Sequence, residues 1–106
     1  MSTIKYNKLI RDKIPEIIEK SGKQAIVERV EGDQLLELLN KKLLEELEEY
    51  NESGEIEELA DLVEVVQAIL EYKEISIGEF DYIRKKKKIA RGGFKEGLLL
   101  LEVREE

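Results

Sequence analysis

Residues 33–73 constrain the fold most, because they hold two amphipathic stretches parted only by Asn51-Glu52-Ser53-Gly54. In the first, Leu36, Leu39, Leu43, Leu47 and Tyr50 recur at spacings of three and four. That period puts them on one face of a helix, capped by Asp33 and running to about Asn51. In the second, Leu59, Leu62, Val63, Val66, Ile69 and Leu70 gather on one side of a helix from about Glu55 to Lys73. A break this short turns the second helix back antiparallel to the first. The predicted fold class is therefore all-α, a helical bundle built on an antiparallel central helix pair.

Shorter signals flank that pair. Tyr6 to Lys20 begins irregularly and then reads as a short helix, with Asp12 as its cap, Pro15 in its first turn and Ser21-Gly22 as its stop. Ser76-Ile-Gly-Glu79 has the capping-box form and opens a last helix to about Ala90 or Arg91, ended by Gly92-Gly93. Gln24 to Val30 alternates and contains β-branched residues, and Gly97 to Val103 has similar character. Pairing the two would add a minor two-stranded ribbon. No repeat or linker interrupts the sequence, so residues 1–106 read as a single domain with a modest core. Such a core leaves apolar stripes incompletely covered, and association with a second copy is expected.

Cys and His are both absent. Disulfides, thiolate or imidazole zinc sites, Cys nucleophiles and Ser-His-Asp triads are thereby excluded. The longest apolar run, Leu98 to Leu101, falls far below the ~20 residues that span a bilayer, and no signal pattern opens the sequence. The expectation is a cytoplasmic protein without a membrane partner. Net charge is -7, but its distribution says more. Residues 45–64 carry ten acidic side chains and no basic one, whereas residues 84–95 carry seven basic side chains and no acidic one. Two solvated faces that attract one another are the plainer explanation of such runs; a cation-binding acidic face near a basic segment, both of which a polyphosphate–metal complex needs, is the sharper one. Nucleic-acid binding through Arg84 to Arg91 is disfavoured by the acidic balance and the lack of interleaved stacking aromatics.

Two carboxylate pairs at i, i+3 stand out: Glu46 with Glu49, and Glu58 with Asp61. That spacing stacks side chains on one helix face. In a sequence so rich in Glu, the spacing arises by chance, as at Glu45 and Glu48, and position counts for more. At about 100° per residue, Glu58 falls within the apolar sector between Leu62 and Val65, and Asp61 lies at its edge. Glu46 borders the stripe of the preceding helix, and Glu49 lies further out. A carboxylate turned to the core needs a cation or an ion-pair partner. A hard divalent ion such as Mg²⁺ would suit an all-oxygen set. A structural pairing of Glu58 with Arg84 or Lys88 remains the alternative.

These residues also carry a family resemblance. Lys42-Leu-Leu-Glu45-Glu46-Leu-Glu48-Glu49, followed by Glu57-Glu58-Leu-Ala-Asp61-Leu-Val-Glu64, resembles the E-E-x-x-E and E-x-x-D signature of the MazG-like all-α nucleoside triphosphate pyrophosphohydrolases. Tyr6-Asn-Lys-Leu-Ile-Arg-Asp-Lys-Ile-Pro-Glu-Ile-Ile18 resembles the house-cleaning branch, and Gly92-Gly93-Phe94 extends the likeness over nearly the whole sequence. Phosphoribosyl-ATP pyrophosphohydrolase is a relative of that superfamily. The resemblance implies that Glu46, Glu49, Glu58 and Asp61 hold Mg²⁺, with Mn²⁺ as a substitute, and that Glu45 together with Glu46 serves catalysis by orienting or deprotonating water. It implies hydrolysis of a nucleoside triphosphate to the monophosphate and pyrophosphate, and a homo-oligomer. Asn7, Lys8, Arg11 and Lys13, with Lys88, Arg91 and Lys95, are the candidates to contact the nucleotide. Two rival readings are a phosphoribosyl-ATP type of activity and a non-catalytic helical interaction module.

Overall fold

Leu, Glu and Lys dominate residues 33–53, no Gly or Pro interrupts them, and such residues favour helix. In the computed structural model, which describes residues 2–105, they form most of α2, Gly32–Ser53. Three further helices complete the regular structure among the described residues: α1 at Ile14–Lys20, α3 at Ile56–Tyr72 and α4 at Ile77–Arg91. The chain is all-α, and α2 packs against α3. Two compact units divide it, Met1–Glu74 and Ile75–Glu106.

In the first unit, α2 begins one residue before Asp33. Glu31 occupies the cap position, extended and without a side-chain bond to the helix, and Asp33 lies in the first turn. There its charge still complements the exposed N–H groups. The helix also runs two residues beyond Asn51 before Gly54 stops it. Gly54 takes the left-handed conformation, φ 68°, and its N–H donates to the Tyr50 carbonyl at 2.7 Å. This is the stop that a residue without Cβ accepts most readily. The chain then turns straight into α3.

Burial on the pair follows the helical period. Leu39 on α2, with Val65 and Leu70 on α3, forms the buried apolar core, each below a tenth exposed. Leu36, Leu43, Tyr50, Leu59, Leu62, Val66 and Ile69 are half-buried around them. Leu47 and Val63, assigned to the stripes by spacing, are largely exposed. Val65 lies inside instead, on the face it shares with Glu58 and Leu62.

In α1 Pro15 sits in the first turn as expected, but the cap position belongs to Lys13 rather than Asp12 and makes no side-chain bond. Neither residues 24–30 nor residues 97–103 form a strand. Ile26 and Leu98 through Leu101 are strongly exposed. Alternation supplies β-propensity, but a two-stranded ribbon without a face to bury is marginal at best. The expected ribbon is thus corrected to irregular structure.

The second unit contains α4. Ser76 caps it, its Oγ accepting from the Glu79 N–H at 3.1 Å, and Gly92 ends it. No helix among the described residues is long and apolar enough to cross a membrane.

Candidate metal centre

The packing of α2 on α3 fixes which acids meet. Glu46 faces α3 from the middle of α2 and is 6% exposed, the one charged residue buried among those described. Glu58 and Asp61, one turn apart in the first half of α3, are half-buried. Carboxylate oxygens of Glu46, Glu58 and Asp61 lie within 4.8 Å of one another. A second group, within the same distance, joins Glu45, Glu46 and Glu49. Glu46 belongs to both groups, so it is the centre of the constellation. Glu49 groups with its own helix and not with the α3 pair.

Three cations border these acids. Lys8 Nζ donates to Glu45 Oε1 at 3.2 Å, and Arg11 Nη2 donates to Asp61 Oδ1 at 2.6 Å. Lys42 Nζ lies 3.6 Å from Glu45 Oε1 and 3.4 Å from Glu46 Oε1. The other oxygen, Glu46 Oε2, is buried without a hydrogen-bond partner. Burial pushes the Glu46 carboxyl above the ordinary range, and the charge of Glu49 adds to the rise; Lys42 offsets only part of it.

That orphaned oxygen tests whether a divalent ion fits. An unpaired carboxylate oxygen in the interior is costly, and a cation shared with Glu58 and Asp61 would satisfy it. The donor set is all oxygen, as Mg²⁺ or Mn²⁺ prefers.

The remaining candidates are placed as follows. Asn7 adopts φ 48°, a conformation that Asn tolerates better than most residues, so the backbone turn accounts for its type. The kink accompanies a cation–π contact, with Lys8 Nζ 5.9 Å from the centre of the Tyr6 ring. Lys13 occupies the α1 cap position. Lys88 and Arg91 stand in the last turn of α4, with Lys95 in the turn beyond it. These three belong to the second unit. Arg84, considered as a partner for Glu58, pairs instead with Asp81 on its own helix at 3.0 Å. Together with Lys85 it holds the Asp81 carboxyl below its ordinary range.

Lys42 was not among the sequence candidates. Its signal was the K-x-x-E-E spacing, which sets it one turn before both Glu45 and Glu46.

The fold and the site define an all-α protein with an acid cluster across an antiparallel helix pair. Compared with family models, curated proteins and solved structures, it matches none.

Proposed function

We propose that the protein is a divalent-cation-dependent nucleoside triphosphate pyrophosphohydrolase of the MazG-like kind. The observation that carries this reading is the unpartnered, buried Oε2 of Glu46, a carboxylate that groups with those of Glu58 and Asp61. Glu46, Glu58 and Asp61 would hold the ion, with Glu49 contributing through its contact with Glu46. When bound, Mg²⁺ supplies neutralisation of phosphate oxygens and acidification of water.

The protein's own residues do the rest. Glu45, grouped with Glu46 and Glu49, would orient a water or accept its proton. Arg11 offers a planar fork suited to two phosphate oxygens, and Lys8 offers a mobile point charge. Together they favour the charge that develops on a departing pyrophosphate. The overall reaction adds one water across the bond joining the α- and β-phosphoryl groups and releases nucleoside monophosphate and pyrophosphate. Self-association belongs to the same reading, because Leu44, Leu47 and Val63 leave apolar surface on the helix pair.

The test is release of pyrophosphate from a panel of standard and modified nucleoside triphosphates with Mg²⁺. Folded protein that releases none from any of them defeats the proposal.

A further inference from the structure

Of the cations on the N-terminal segment, Arg11 occupies a carboxylate that an ion would use, and Lys8 occupies Glu45, next to another. Residues 6–11 are irregular, with Leu9 and Ile10 half-buried. From this segment Lys8 reaches Glu45 on α2, and Arg11 reaches Asp61 on α3. Both pairs are partly exposed, side chains being 42% and 31% accessible in one and 56% and 40% in the other. Pairs so open to water are weak and easily exchanged. Lys42 differs, since it sits on α2 itself with a side chain only 18% exposed.

We propose that Lys8 and Arg11 are internal counter-ions of the acid cluster that give way when a divalent cation enters it. This rests on the metal reading above and adds its regulation. A doubly charged ion at Asp61 repels the guanidinium with twice the charge product of the Arg11–Asp61 attraction. An ion and the guanidinium cannot share Asp61 Oδ1 without that repulsion, which weakens the ion pair. Long, flexible side chains can leave by rotation alone, while Leu9 and Ile10 keep the backbone in place. Departure of Lys8 leaves Glu45 Oε1 to Lys42 alone, 3.6 Å away on the same helix. The freed cations then face whatever anion the metal brings, and a polyphosphate is the class that suits them.

Mn²⁺ titrated into the metal-free protein, with the free ion followed by its electron paramagnetic resonance signal, tests the exchange. Wild type, Lys8→Gln and Arg11→Gln are compared with Lys41→Gln, which removes a charge from an exposed neighbour on α2. Removing either counter-ion is expected to tighten Mn²⁺ binding by roughly three- to tenfold, and removing Lys41 by less than about twofold. Affinity that is unchanged or weaker in both counter-ion variants overturns the proposal, and so does an equal gain in all three. Circular dichroism of each variant confirms that its helices are retained. Pyrophosphate release, measured in parallel, separates the two ideas. Tighter Mn²⁺ binding without hydrolysis in wild type leaves the exchange standing and removes the enzyme, and hydrolysis without tighter binding does the opposite.

Discussion

Replacing Glu46 by Gln keeps the shape of the buried side chain and removes its charge. In the wild type, acidic oxygens of Glu58 and Asp61 lie within 4.8 Å of Glu46, as do those of Glu45 and Glu49. At that separation a pair of unit charges repels by about 1 kcal/mol in bulk-water dielectric and by about 3.5 kcal/mol at an effective dielectric of about 20. Glu58 and Asp61 are half-exposed, and the variant also forfeits the Lys42 contact, so the lower figure is the better guide. Without metal, Glu46→Gln is expected to stabilise the protein by about 1 kcal/mol, or to raise Tm by about 4–8 °C. The effect depends on pH. Because the Glu46 carboxyl is held above its ordinary value of 4.5, the folded state binds more protons than the unfolded state above that value. Stability therefore falls as pH rises through this window, and the cost is complete above the folded-state pKa. Melts in chelator should show the variant gaining over wild type as pH rises from about 4.5 toward neutrality. Added Mg²⁺ should reverse the order by stabilising wild type and leaving the variant nearly unmoved. A variant less stable than wild type in chelator, with an equal Mg²⁺ response in both, would refute the reasoning.

Glu58→Gln is expected to abolish Mg²⁺-induced stabilisation, read by thermal melts, and to lower pyrophosphate release by at least the roughly 10–100-fold that follows loss of a mere supporting partner to a ligand, read by steady-state assay. Gly54→Ala places a Cβ where no atom lies within 4 Å, so its cost is that of the left-handed backbone alone, about 1–2 kcal/mol, visible as a lower Tm. Ser76→Ala removes the cap of α4 and should cost about 1 kcal/mol locally, seen as faster amide exchange over Ile77–Phe80 with the α2–α3 pair unaffected.

What the sequence made legible was local. Apolar spacing revealed the α2–α3 pair, and the short stop at Gly54 made it antiparallel. The same angular reasoning put Glu58 on the face of Leu62 and Val65, where it lies. Ser76 and Gly92 marked the ends of α4 through cap chemistry. Interactions spanning many residues were not legible. The pairing of Arg11 with Asp61, and of Lys8 with Glu45, depends on where an irregular segment crosses the helices, and no period encodes that path. Asp33 misled because a good capping residue also suits the first turn. The strand candidates misled because alternation records propensity but supplies no partner. Leu47 and Val63 carried the right period at the outer margins of their stripes, where spacing alone does not separate half-buried from exposed.

The central claim is that one divalent ion is shared between α2 and α3, and anomalous diffraction from crystals grown with Mn²⁺ tests it most directly. We expect a single strong peak bounded by oxygens of Glu46, Glu58 and Asp61, with Oε2 of Glu46 among its ligands and the Arg11 side chain turned away from Asp61. A map with no peak between the two helices, and with Arg11 still bonded to Asp61 at saturating Mn²⁺, would contradict it.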